Sequence, residues 1–469
     1  MDEQSNTPQR PANPRRRRRT RMQIIKEDYL PVAIGGLAVL LVLIFVIGGI
    51  VRGVQGARYR KALAEQEALA AQQAQEALDA EANQIYTDAK LMGSQFDYQG
   101  ALELIDSFSG NIQDYPELVE LRDGYSADQE DLVEWSDPTD ILSLSFQVLI
   151  ADPERAFVNA AYGNSYNRNF ITTGEFQRIL QQLYENGYIL VSLADFTNGT
   201  EVFPLYLPAD KKPLLLTQTN VNYYTYMVDG DGDKLPDSQG AGFASRLTLD
   251  ENGNFTCEMV DAQGQTVTGA FDMVPILEAF IETHPDFSYR GARAVLAVTG
   301  YDGIFGYRTS PAALEFFGED YYRSEVAEAE AVVSELRHLG YELACYTYEN
   351  EPYGSYTAAQ ISDELVKWDE EVTPILGQTD IFVFSRNSDL GDPGVAYDDE
   401  RFNLIYSYGY TNYLGFCNAN ESWSFCNGEY FRQGRILVTG SALAHHSLWF
   451  EGMFDAASIL DPARGEVPA

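Results

Sequence analysis

The distribution of apolar and polar positions divides the chain into four stretches of different texture. Residues 29–51 (YLPVAIGGLAVLLVLIFVIGGIV) contain no charged side chain. At about 1.5 Å per residue they reach across a hydrocarbon core of about 30 Å as one helix. Residues 52–84 carry Ala, Glu and Gln with few large apolar side chains, a composition that favours a solvated helical stalk, with a weak coiled coil as the alternative. From 85 to 136 the period becomes helical, with Ala89, Phe96, Tyr98, Ala101 and Leu104 spaced much as in a tetratricopeptide hairpin. One such unit does not make a solenoid, so the expected reading is a small helical spacer packed on the next domain. After 137, short apolar runs alternate with amphipathic stretches. Strands are expected at 141–150, 188–193, 213–219, 292–300, 341–347, 380–384, 413–416 and 435–439. Helices are expected at 173–185, 324–339, 357–370, 399–408 and 449–457. Alternating β and α units over 137–469 predict an α/β fold, a parallel sheet closed into an irregular (β/α) barrel, with chemistry at the C-terminal strand ends.

Charge sharpens this division. Of 32 Lys+Arg and 70 Asp+Glu, residues 1–28 hold eight basic and four acidic side chains, including the run Arg15-Arg16-Arg17-Arg18-Arg19. The remainder is strongly acidic, which argues against nucleic acid as a partner. A basic flank before an apolar span places residues 1–28 in the cytoplasm and 52–469 outside the cell membrane, as a single-pass anchored ectodomain. A cleaved signal peptide is the rival, but its apolar run is shorter and ends in a small-residue cleavage site. Cys417 and Cys426, nine apart, would close a small loop in an oxidising space; two isolated thiols fit the sequence as well.

Several phrases in the last stretch carry a resemblance: GEFQRILQQLYENGYILVSLADF, KKPLLLTQTNVNYYTYM, GFASRLTLDENG, THPDFSYRGARAVLAVTGYDGIFGYRT, WDEEVTPILGQTDIFVF, and YFRQGRILVTG through MFDAASILDPAR. In these, and in the order of its elements, the chain resembles the polysaccharide deacetylase (NodB-homology) family, in particular membrane-anchored members with a helical stalk. The resemblance implies an irregular (β/α) barrel and a metal-dependent hydrolase. In such enzymes one Asp and two His hold a divalent ion, a second Asp activates the bound water and a later His protonates the leaving amine. A divalent metal suits carboxylate and imidazole ligands because it must bring bound water to a pKa near 7.

At the matching positions this chain departs from the pattern. The Thr-Phe-Asp-Asp motif reads Thr217-Gln218-Thr219-Asn220, so Thr219 stands for the base and Asn220 for the metal-binding Asp, while Asn222, Tyr223 and Tyr224 match. Tyr346 and Asn350 replace the two metal imidazoles. Gln147 stands in the early Phe-His-Ser strand end, Arg386 in the Tyr-Pro-Phe-Gly turn, and Thr439 before Gly440 where Asp precedes Gly. None of these replacements carries a proton near pH 7, and Asn or Tyr alone make a poor divalent site. The four histidines offer no substitute: His284 and His338 read as structural, and the adjacent His445 and His446 point in different directions.

The expectation is therefore a catalytically inactive, extracytoplasmic deacetylase-like barrel without a cofactor in the barrel. It would bind cell-envelope glycan or a partner protein through a cleft including Asn222, Tyr223, Tyr224, Tyr348 and Arg386. The alternative is an active carbohydrate N-deacetylase holding Zn2+. A third reading makes the helical hairpin the working part. Separately, MVDGDGDKLPD places Asp229, Asp231, Asp233 and Asp237 in a Gly-interrupted loop that resembles short calcium loops, although an acidic solvated loop explains the same residues.

Overall fold

The computed structural model describes residues 56–417 and 422–468. The apolar run at 29–51 and the basic flank before it lie outside the described residues. Among those described, no helix is long and apolar enough to cross a membrane. The chain divides into two units, residues 1–131 and 132–469.

The first unit is helical. Helix α1 (Gly56–Ser94) is continuous through the expected stalk and into the hairpin, because Ala, Glu and Gln give it no reason to stop. Helix α2 (Tyr98–Asp106) begins where Asp97 accepts the Gly100 N–H, and α3 (Pro116–Glu130) begins with Pro in its first turn. Ala82, Ile85, Ala89, Met92, Ala101, Leu104, Ile105, Phe108 and Leu118 form its core, in which Ala89 and Ala101 are fully buried.

The second unit is a closed barrel of seven parallel strands. They are β1 (Leu142–Gln147), β2 (Lys212–Thr219), β3 (Val295–Val298), β4 (Glu342–Cys345), β5 (Ile381–Val383), β6 (Asn412–Phe416) and β7 (Phe431–Leu437). Each pairs with the next in parallel, and β7 closes the ring against β1 through Ile436–Leu144 and Leu437–Ser145. Helices α4 (Thr173–Glu185), α5 (Met273–Thr283), α6 (Glu319–Leu339), α7 (Ala358–Lys367) and α8 (Glu400–Ser407) are among those in the connections. Strand residues alternate. Leu142, Leu144, Phe146, Leu214, Leu216, Leu296 and Val298 join the large apolar core with the helices, and Phe146 meets Phe176 of α4 edge to face at 5.1 Å. Ser143, Ser145, Thr217, Thr219 and Ala297, at the intervening positions, face the lumen.

Three features differ from the expected pattern. A three-stranded antiparallel sheet (Arg246–Leu249, Phe255–Val260, Thr266–Gly269) is inserted between β2 and α5. The helix expected at 324 starts at Glu319, where Gly318 (φ 86°) turns the chain and Glu319 and Asp320 favour the N-terminal end. The stretch 449–457 is not one helix: a 3₁₀ turn (Ser447–Phe450) and a four-residue helix (Ala456–Ile459) are separated by Gly452 at φ 80°.

The end of the unit is tied to its beginning by one buried ion pair. Arg464 donates to both carboxylate oxygens of Glu175 at 2.5 Å, and to the Asn167 and Phe170 carbonyls. Glu175 also closes the capping box of α4 with Thr172. Replacing Arg464 with Met leaves a fully buried carboxylate without its cation. The expected cost is about 3–5 kcal/mol, read as a lower urea midpoint for the barrel unit.

Candidate functional site

The C-terminal ends of β1 to β5 converge on a mouth where backbone and side chains are held in unusual states. Seven non-glycine residues in the loops at these ends have positive φ: Asn220, Tyr223, Phe305, Thr347, Asn350, Arg386 and Asn387. Asn tolerates this conformation, but a β-branched Thr at φ 63° is strained. Such strain collects at functional sites.

Three of the mouth groups singled out from sequence form one chain of hydrogen bonds. Asn220 donates through Nδ2 to Gln147 Oε1 at 3.1 Å and accepts at Oδ1 from the Tyr224 hydroxyl at 2.8 Å. The same hydroxyl lies 2.8 Å from Thr299 Oγ1 at the end of β3. Thr219, beside Gln147 in the strand register, donates to the Phe146 carbonyl at 3.2 Å. Thr299 was not foreseen; the cue was its position directly after a buried parallel strand.

Tyr346 sits at the end of β4, its ring 5.9 Å from the Arg435 guanidinium. Arg435, 1% exposed, was not among the residues singled out from sequence, since the strand expected at 435–439 carried no sign that its first residue faces a barrel interior. A divalent cation does not fit this arrangement. Asn220 and Thr219 bond neutral partners, no carboxylate faces Tyr346 in the contacts above, and the charged group beside it is the Arg435 guanidinium.

The other sequence candidates fall elsewhere. Asn222 is fully buried and staples the 299–303 turn, donating to the Thr299 and Gly303 carbonyls and accepting the Thr299 N–H. Gly303 needs its φ of 87°, since a Cβ there would meet the Tyr307 carbonyl. Tyr223 is fully buried and donates to Asp272 at 2.5 Å. Tyr348 is buried, donates to Glu371, and packs where a Cβ on Gly300 would collide with its ring. Asn350 is half-buried, with an Oδ1 that lacks a partner. Thr439 caps the helix Gly440–His445 by accepting the Ala442 N–H. Arg386 is exposed on the turn after β5, close enough for its charge to act on the Tyr301 phenol.

Along the rim runs a row of tyrosines. Tyr224 is stacked between Tyr226 (5.7 Å, 13°) and Tyr301 (5.1 Å, 17°), and Tyr162 leans on Tyr226 at 5.6 Å. Tyr162, Tyr226 and Tyr301 each keep more than a third of their surface exposed. Burial pushes the Tyr226 hydroxyl up to about 12, so it stays protonated at ordinary pH.

In the acidic loop, Asp229, Asp231 and Asp237 offer oxygens within 4.8 Å of one another, and Asp233 is not part of that group. The loop folds around its carboxylates: Asp229 accepts N–H bonds from Asp231, Gly232 and Lys234, and Asp237 from Gly230, Asp231, Gln239 and Gly240. All four cysteines are free thiols. The histidines serve structure where contacts exist: His284 stacks on Phe280 at 4.4 Å, and His446 on Trp449 at 4.4 Å.

The fold and mouth thus define a closed α/β barrel whose C-terminal end is lined by amide, hydroxyl and guanidinium groups. No family model matches the chain, and no curated protein matches it in sequence. Among solved structures, the Streptococcus pyogenes deacetylase PplD in complex with acetate is similar at a TM-score of 0.36 and 12% identity, covering 67% of this chain and 98% of that chain.

Behind the mouth, Asp272 is fully buried and accepts from Leu149 N–H (2.9 Å), Gln218 Nε2 (2.7 Å) and Tyr223. Burial outweighs these donors and pushes its carboxyl up to about 6. The folded chain therefore holds the Asp272 proton more tightly than the unfolded chain, where Asp titrates near ~3.9. The stabilisation is complete below pH ~4 and is lost as pH rises through about 6. Wild type should lose on the order of 3 kcal/mol across that window relative to Asp272→Asn, measured as the difference between their denaturation midpoints at pH 4 and 7.

Proposed function

We propose that the barrel is a catalytically inactive, polysaccharide deacetylase-like module that binds glycan of the cell envelope and is held outside the cell membrane by the apolar segment at 29–51. The observation that carries this reading is the Gln147–Asn220–Tyr224–Thr299 chain, with the Arg435 guanidinium beside the Tyr346 ring at the end of β4. It puts neutral amides, hydroxyls and a guanidinium where the sequence resemblance calls for carboxylates, imidazoles and a metal. Hydrolysis of an amide needs a group that takes a proton from water near pH 7, and none of these does. The half-exposed tyrosines supply what a binding module needs: flat apolar faces with polar edges, suited to the C–H faces of pyranose rings. Polymer strands are long, so a rim row is better placed to hold them than a closed pocket.

The purified ectodomain should bind insoluble cell-wall glycan, and Tyr226→Ala with Tyr301→Ala together should weaken retention at least about tenfold, about 1.4 kcal/mol. It should contain no stoichiometric zinc and release no acetate from N-acetylglucosamine oligomers. Zinc at one equivalent, together with acetate release abolished by Tyr346→Phe, would instead establish the active deacetylase.

The calcium reading of the Asp loop is a separate proposal, supported by the approach of Asp229, Asp231 and Asp237. Millimolar calcium should raise the melting temperature, and Asp229→Asn should remove that rise while leaving the calcium-free value within about 2 °C.

A further inference from the structure

The barrel lumen holds a charge that the protein does not neutralise. Arg435 projects from β7 into the ring. Its Nη1 donates to Ser145 Oγ at 2.7 Å on β1, and its Nη2 donates to the Phe384 carbonyl at 2.6 Å after β5. Its side chain is therefore directed across the lumen. The carboxylate that acts on it at longer range, Asp389, is already bound by Arg432 at 2.9 Å and by the Tyr397 hydroxyl at 2.5 Å. Arg435 itself makes no ion pair among the described residues.

Three donors around this guanidinium are unsatisfied. Arg435 Nε, Ser143 Oγ and Thr217 Oγ1 are buried without a hydrogen-bond partner, and their residues are 1%, 2% and 0% exposed. The strand register places them on three adjacent strands, within one rung of the Ser145 hydroxyl that Arg435 Nη1 reaches. Leu437 pairs with Ser145, so Arg435 lies level with Ser143, and Ser145 in turn pairs with Thr217 across β1 and β2. All are at lumen-facing positions, since the residues between them belong to the outer core. An N–H and two O–H groups can all donate to one acceptor.

Two costs meet at this point. Unmade hydrogen bonds of buried donors are expensive, and an uncompensated buried charge more so. Water would relieve the first and leave the second. A negative ion relieves both. The side chains that β1 and β2 present beside the guanidinium, Ser143, Ser145 and Thr217, are small, which suits an ion of one or a few atoms.

We propose that the lumen binds one small monovalent anion, a halide or a formate-sized carboxylate, between Arg435 Nε, Ser143 Oγ and Thr217 Oγ1. The site is independent of glycan binding at the rim. It is a stabilising structural site, enclosed by the barrel.

The test is thermal unfolding of the ectodomain in EDTA, titrated with sodium chloride, bromide or formate against sodium gluconate at equal ionic strength, gluconate being too large to enter. The melting temperature should rise with each small anion and stay flat in gluconate. Thr217→Val, nearly isosteric, removes one donor and should raise the half-saturating concentration about tenfold. Arg435→Met should abolish the response. A bromide-soaked crystal should show an anomalous peak beside Arg435 Nε. Equal melting temperatures in chloride, bromide, formate and gluconate would overturn the proposal. So would a small-anion response unchanged in Thr217→Val, which decides the matter even if Arg435→Met does not fold.

Discussion

A carboxylate buried without a cation, Asp272, organises the side of the barrel on which the mouth is built. It gathers the Leu149 amide after β1, the Gln218 amide at the end of β2 and the Tyr223 hydroxyl of the following loop. These three segments carry Gln147, Thr219, Asn220 and Tyr224. Because the bonds are made by a group that cannot reach solvent, they hold the three segments relative to one another. Left-handed turns at Asn220 and Tyr223 accompany this tether, with Tyr223 bonded to Asp272 and Tyr224 turned toward Asn220 and Thr299. Arg308, donating to the Tyr223 carbonyl at 2.9 Å, holds the same loop from the opposite side.

The same logic governs the lumen. A parallel barrel of seven strands must fill its interior with side chains, and apolar residues would do so at least cost. Here β1, β2 and β7 contribute Ser, Thr and Arg instead. The choice costs stability unless the polar groups are matched, and the Ser145 and Phe384 bonds to Arg435 match only part of them. Tyr346, at the end of β4, lies beside Arg435 where the lumen gives way to the mouth.

Much of the architecture was legible in the sequence because the barrel strands are buried on both faces and bounded by turn residues. Runs such as KPLLLTQT and VLAV announce themselves, and Thr172 with Glu175 marks the start of α4. The inserted sheet was not legible, because Phe255–Val260 alternates buried and half-buried residues over only six positions, and its turns are defined by Asp250 and Asp261 accepting backbone N–H bonds. At the mouth, motif positions identified Gln147, Asn220 and Tyr224 but not their partners. Thr299 and Arg435 come from distant strands, and only barrel closure brings them to those residues. Asn222 and Tyr223 matched the family pattern, yet their side chains turn into the core, a direction that depends on φ values near +50° around them.

The stacked phenols at the rim have a consequence beyond recognition. Tyr226, Tyr224 and Tyr301 are near-parallel rings at 5–6 Å spacing, held in a chiral setting by a rigid barrel. Their electronic transitions couple, so this part of the molecule carries its own near-ultraviolet circular dichroism band. Any molecule that settles against Tyr226 or Tyr301 changes that band directly. The rim is therefore an unlabelled optical probe of its own occupancy.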